Sequence, residues 1–173
     1  MTARELRKAE RKRLVRRIVA HIDEFPRQHE ALVHAMSTFG SEFDRARFKE
    51  AFETTDDMEA YNRVQAVERS VGRLQGFVGD MALDGVRLAD LPSDPLGGEG
   101  LRAKSAFEAM RSEKIIDGNL CRRLVKGQDA RTGIEHEYVR LRAGQLHEAA
   151  LRVRDASLEF FGLFTAWIEP YLD

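Results

Sequence analysis

A single cysteine, Cys121, and only 4 prolines stand in 173 residues, and their scarcity closes several routes at once. One thiol excludes an internal disulfide and a cysteine-rich zinc site. It reads as a small core filler in a reducing compartment. The longest strongly apolar stretch, Phe160 to Ile168, is far too short to span a bilayer, and Glu169 follows it. The basic N-terminus has no apolar segment behind it, so no signal peptide is expected. Alternating apolar runs of useful length and Asn-Gly hairpins are missing, so strands are not expected. What remains is one cytoplasmic helical domain over residues 1–173, long enough to bury a sizeable core and without a membrane partner. A charged fraction of 33% beside a hydrophobic fraction of 43% fits that class.

The net charge of −1 conceals an uneven distribution. Residues 1–17 carry eight Arg/Lys against Glu5 and Glu10. Residues 42–60 carry seven acids against Arg45, Arg47 and Lys49, and residues 101–142 carry ten bases against six acids. A solvated helix face is the ordinary meaning of such runs. Cations at a helix N-terminus oppose the macrodipole, however, so the first run has no local stabilising logic. The alternative is an anionic partner, either nucleic acid or the acidic face of another subunit.

Helical periodicity runs through the whole chain. Leu6, Leu14, Val15, Ile18, Val19 and Ile22 form a stripe that Pro26 is expected to interrupt, with Leu32, Val33 and Met36 beyond it. These are basic N-terminal helices over residues 1–40. Phe39, Gly40 and Ser41 mark a turn, and Phe43, Phe48 and Phe52 line a short helix. Thr55 is the expected N-cap of the next one, with Asp56 and Asp57 in its first turn. Val64, Val67, Val71, Leu74, Val78 and Met81 then alternate three and four residues apart, an a/d seam that serves either as a core stripe or as a dimer zipper. Gly72 and Gly76 share a face inside it and predict close approach of another helix. Residues 84–101 read as a connecting loop; Lys104 is misplaced for a phosphate-cradling P-loop. A helix through Phe107 and Met110, a turn at Ile115–Gly118, a helix over 118–141 and a last apolar helix through Leu146, Val153, Leu158, Phe161, Phe164 and Ile168 complete an all-α bundle of five to seven helices.

Few constellations in this pattern carry chemistry. A di-iron bundle needs Glu-x-x-His pairs, and the sequence has none. His29 and His34 miss the zincin spacing by one residue, which turns them about 140° apart on a helix, so no metal ligand is assigned. His21, His29, His34 and His147 read as ordinary helix-surface residues. The informative stretch is Arg131-Thr132-Gly133-Ile134-Glu135-His136-Glu137-Tyr138. Arginine is a permanent cation that forks onto phosphate, and histidine titrates where proton transfer near neutral pH needs it. Together they suit phosphodiester cleavage without a metal or other cofactor. The plain alternative is a surface helix on which Arg131 pairs with Glu135 four residues on. Arg131 and His136 are themselves about 140° apart on a straight helix. A compact site therefore needs a backbone deviation at Gly133, a long reach by the arginine, or a second subunit.

Arg131-x4-His136-x-Tyr138 in a late helix resembles the signature of the HepT-like toxins of the HEPN superfamily of helical ribonucleases. Ala66-Val67-Glu68-Arg69 with the seam after it is similar to that family's central helix, and Phe107 with the Ile115-Ile116 turn to the segment before its catalytic helix. The resemblance covers roughly residues 58–170. It implies a HEPN-like bundle that forms a two-fold dimer, with two motifs lining one cleft. The activity implied is that of a metal-independent endoribonuclease, the toxin of a type VII-like toxin–antitoxin pair. Arg131 and His136 would be catalytic, and Tyr138 would be adenylylated by a cognate minimal nucleotidyltransferase antitoxin. Two supporting positions differ from the family. Thr132 follows the arginine in place of Asn or another strongly polar residue, and Glu135 precedes the histidine in place of an apolar one. A carboxylate there repels phosphate and offers Arg131 an ion pair, which leaves a catalytically inactive helical adaptor as the second reading. Arg122, Arg123 and Lys126, upstream on the same helix, are candidate RNA contacts.

Overall fold

The computed structural model describes residues 3–54, 56–93, 102–136 and 141–173, with side chains from Arg7 onward. Among these residues there are six α-helices, one 3₁₀ turn and no strand. They are α1 (Ala3–Ser37), α2 (Arg45–Glu53), α3 (Met58–Leu88), α4 (Ala103–Ser112), α5 (Gly118–Glu135) and α6 (Ala143–Ile168), with the 3₁₀ turn at Glu169–Tyr171. The all-α expectation is met. No described helix is long and apolar enough to cross a membrane.

Three helices start on aspartate. Asp44 accepts from the Arg47 amide at 2.7 Å, Asp57 from those of Glu59 and Ala60 at 2.9 and 3.1 Å, and Asp117 from that of Leu120 at 2.7 Å. Each satisfies amides that have no partner inside the helix. The cap of α3 is thus Asp57, one of the two acids expected in its first turn; Thr55 lies outside the described residues. Two helix ends, those of α3 and α4, are closed by left-handed residues. Asp90 (φ 52°) follows α3, with the Leu91 amide bonded to the Val86 carbonyl at 3.0 Å. Lys114 (φ 58°) follows α4, with the Ile115 amide bonded to the Met110 carbonyl at 2.9 Å. Both are the six-to-one bond of a Schellman ending, which lets the chain reverse without stranding its last carbonyls.

Helix α3 is the hub and packs against all five other helices. Its seam residues Val64, Val67, Val71, Leu74, Val78 and Met81 are all buried, so the stripe is core within one chain. Around it close Ile18, Phe25 and Leu32 of α1, Phe107 and Met110 of α4, Leu120 and Leu124 of α5, and Phe160, Phe164 and Ile168 of α6. Phe25 of α1 stacks on Phe161 of α6 with ring centroids 4.1 Å apart and planes 5° from parallel.

Several boundaries and exposures differ from the sequence reading. Helix α1 continues past the expected break, with Pro26 inside it. Ile18, Phe25 and Leu32 recur every seven residues on the buried side, and that continuous burial offsets the proline's lost backbone bond and ring clash, together about 3 kcal/mol. The expected loop over 84–101 starts later, because α3 continues to Leu88. Gly85 serves packing instead of a turn: a Cβ there would sit 2.7 Å from Phe164 Cε2 and 2.9 Å from Trp167 Cζ3. The expected helix over 118–141 ends at Glu135. Leu141 stands before α6, and residues 137–140 lie outside the described residues. Val19 and Leu158, read as stripe residues, are exposed.

Three histidines read as surface residues are structural; His29 stacks on Phe25 and donates from Nε2 to the Arg154 carbonyl of α6 at 3.1 Å. His147 is buried, stacks on Phe43 at 4.3 Å and donates from Nε2 to the Phe43 carbonyl at 2.7 Å, tying α6 to the turn before α2. His21 packs edge-on against Phe77 at 4.8 Å, with Nδ1 buried and 3.9 Å from Asp84 Oδ2. Asp84 has a side chain 1% exposed, and Arg17 Nε lies 3.0 Å from its Oδ2. Part of the basic N-terminal run therefore has an internal use. Arg17 neutralises this buried carboxylate, and Arg11 donates to the carbonyls of Tyr171 and Asp173 at 3.0 and 3.2 Å.

This cluster predicts a pH effect. Burial pushes His21 below its ordinary value of 6.5, opposed by the charges of Asp84 and Asp80 and reinforced by Arg17. Burial likewise pushes the Asp84 carboxyl up, opposed chiefly by Arg17. Below pH 6.5 the unfolded chain protonates His21 while the folded chain resists, so stability falls as pH drops toward the lowered folded value. Asp84 acts with the opposite sign, since its fold prefers the protonated acid and its cost grows as pH rises through the raised value. A His21→Gln variant isolates the first effect. Between about pH 7.5 and 5.5 the parent should lose more of its urea midpoint than the variant. Parallel pH curves would contradict the assignment.

Candidate functional site

The motif segment is held against α3 by a seam of small residues and amides. Gly127 lets the buried Gln75 side chain reach α5, where its Nε2 donates to the Leu124 carbonyl at 3.3 Å. Gln128 reaches back and donates from Nε2 to the Gln75 carbonyl at 3.0 Å. Gly79 makes room for it, since a Cβ there would lie 2.8 Å from Gln128 Nε2. Burying these amides is tolerable because each finds a carbonyl. Further along, Gly76 lies under Arg131 and Gly72 beneath Ile134. The close approach expected at Gly72 and Gly76 is therefore made by α5.

Arg131 lies flat on α3. A Cβ on Gly76 would be only 3.0 Å from its Cζ, and its Nε donates to Glu135 Oε1 at 2.7 Å. The i,i+4 ion pair is thus formed, with the arginine side chain 34% and the glutamate side chain 51% exposed. Thr132 turns its hydroxyl to the Gln128 carbonyl at 2.9 Å, which supports the helix instead of facing a ligand. His136 is the C-cap of α5, exposed and in extended backbone (φ −103°, ψ 105°), its amide bonded to the Thr132 carbonyl at 3.1 Å. The backbone leaves the helix at His136, three residues beyond Gly133.

His136 lines an open cavity of about 360 Å³ with Phe52, Tyr61, Gln65, Glu68 and Ile134. Arg131 is not part of that wall. Arg131 rests over Gly76, whereas the cavity wall begins at Gly133 and Ile134, the latter over Gly72, and extends to Glu68 and Gln65. Within one chain the two motif side chains are both accessible but are not brought together. Tyr138 lies outside the described residues.

The upstream cations divide. Arg123 is committed, paired with Glu159 of α6 and donating from Nε to Asn119 at 2.8 Å. Arg122 and Lys126 are exposed and make no ion pair among the described residues. Cys121 is buried, with its thiol 3.5 Å from Glu108 Oε1; burial and that carboxylate push it up to about 11, so it is an unreactive filler as expected. No three His, Cys, Asp or Glu among the described residues converge as metal ligands.

Sequence reasoning missed the α1–α3 cluster of Arg17, His21 and Asp84, because Asp84 is too far along the chain to signal its α1 partners. The glutamine clasp was equally silent, although Gly127 beside Gln128 marks a place where a side chain or backbone must come close. Comparison with protein-family models, with curated proteins and with solved structures finds no match.

Proposed function

We propose that this chain is a metal-independent endoribonuclease whose site is completed across a two-fold dimer, with Arg131 of one chain acting beside His136 of the other. The observation that carries this reading is the separation just described. Both side chains are accessible, yet Arg131 lies over Gly76 while His136 faces the cavity, and an isologous pairing of two α5 ends juxtaposes unlike patches of the two chains. His136 in extended backbone at a cavity mouth is free to take a proton from a ribose 2′-OH. The 2′-oxygen then attacks phosphorus, the bond to the 5′-oxygen breaks, and that oxygen takes up a proton. The products are a 2′,3′-cyclic phosphate and a 5′-hydroxyl. Arg131 stabilises the charge that develops on the phosphate oxygens.

The biological role that goes with this chemistry is the HepT-like one, a toxin paired with a minimal nucleotidyltransferase antitoxin that adenylylates Tyr138. The added negative charge beside Arg131 would compete with RNA phosphate and silence the cleft. The reading is tested by incubating the purified protein with cellular RNA in excess EDTA and mapping the ends formed. Cleavage leaving cyclic phosphates is expected to persist; intact RNA, or cleavage that stops on chelation, would contradict it.

One contact favours the second reading, a non-catalytic HEPN-like adaptor. The Arg131–Glu135 bond at 2.7 Å occupies the guanidinium that a phosphate needs. An exposed pair of this kind contributes little, so an incoming phosphate displaces it at low cost. The adaptor reading predicts RNA or partner binding with no cleavage.

A further inference from the structure

We propose that the outer face of α3 carries a phosphate-binding track for single-stranded RNA, running from Arg131 through Arg73 and Arg69 to the groove between α1 and α3. Positions 69, 73 and 76 are spaced i, i+4 and i+7 and therefore share one stripe of the helix. Gly76 carries no side chain of its own, and the Arg131 guanidinium lies over it. A cation donated by α5 thus completes a row begun by two arginines of α3. Arg69 and Arg73 are exposed and make no ion pair or hydrogen bond among the described residues.

The row borders a groove of about 790 Å³ lined by Arg27, His34, Arg63, Arg69 and Arg73, with Glu59 as the acid in its wall. Arg63 is fixed there, donating to the Thr38 carbonyl at 3.2 Å and lying 5.2 Å over the Phe39 ring. Arg27 lies 3.6 Å from Glu24. Of the nearby acids, Glu68 accepts from Gln65 at 3.2 Å and Glu135 holds Arg131, while the exposed Asp80, one turn beyond Gly76 on the same stripe, marks the end of the row. Two like charges one turn apart weaken a helix slightly, so α3 itself does not account for Arg69 and Arg73. A polyanion does, because a groove with four arginines against the single acid Glu59 concentrates its counterion. The track ends at Arg131, so the ligand class rests on the ribonuclease reading: a strand whose phosphates follow the row delivers one of them to the motif.

The test uses His136→Ala protein, so that RNA stays intact, and a fluorescent 20-nucleotide single-stranded RNA titrated at several salt concentrations. Arg69→Gln/Arg73→Gln should weaken binding about tenfold and flatten the log–log salt slope by about 1.4, two phosphates at about 0.7 each. Unchanged affinity and slope in that variant overturn the track, as does a loss confined to Arg122→Gln/Lys126→Gln. Binding of polyglutamate as tight as that of RNA would overturn the RNA assignment in favour of an acidic protein. If the parent cuts RNA in EDTA while the double variant binds normally, the track fails and the ribonuclease stands. If the parent never cuts but the double variant loses binding, the track stands without the ribonuclease.

Discussion

Arg131→Ala and His136→Ala should each lower RNA cleavage by about 10²–10⁴-fold while leaving the fold in place. The magnitude follows from the roles assigned: one variant removes the proton acceptor, the other the cation facing the developing phosphate charge. The structural half of the expectation comes from exposure. His136 is a surface residue beyond the last turn of α5, and its backbone bond to Thr132 survives truncation of the side chain. Arg131 loses an exposed ion pair worth about 0–1 kcal/mol. Some packing over Gly76 goes with it, yet the glutamine clasp at Gln75 and Gln128 still fixes α5. Circular dichroism melting curves within a few degrees of the parent, beside a collapsed cleavage rate, are the expected result. Equal cleavage by all three proteins would remove both residues from the mechanism.

Phe48→Ala should cost about 3–5 kcal/mol and lower Tm by about 6–20 °C. Phe48 is fully buried and meets the rings of Phe39 and Phe43 at 5.1 Å each and His147 at 6.0 Å. It is the anchor through which the short helix α2 joins the bundle. Nine residues of helix cannot hold themselves in water, so α2 depends on this burial. Its position also matters to the site, because Phe52, one turn further on, walls the His136 cavity. A Tm within 2 °C of the parent would show that the aromatic cluster is not the support described here.

The parts of this molecule governed by local periodicity were legible in the sequence. The α3 seam repeats every three and four residues, and all six of its members are buried. Gly72 and Gly76 announced a close neighbour because a helix tolerates glycine poorly without a reason. The Arg131–Glu135 pair follows from spacing alone. What stayed hidden depended on partners distant in the chain. Gly85 resembles a turn residue until Phe164 and Trp167 are seen against it. Asp84 next to a glycine looks like a loop, yet it is a buried carboxylate whose counterion comes from α1. His147 carries no local sign that it will cap the Phe43 carbonyl. The end of α5 was misplaced for a related reason: Glu135 and its neighbours continue the helical pattern, and nothing in the local sequence marks His136 as its last capping residue.

The central claim is that Arg131 and His136 work together only across two chains, and mixing the two inactive variants tests it directly. Arg131→Ala protein and His136→Ala protein should be inactive alone. When they are combined and allowed to exchange subunits, each mixed dimer contains one site with both side chains intact. Random exchange makes half the dimers mixed, so roughly a quarter of the parental cleavage rate should return. A mixture no more active than its separate components would contradict the composite site.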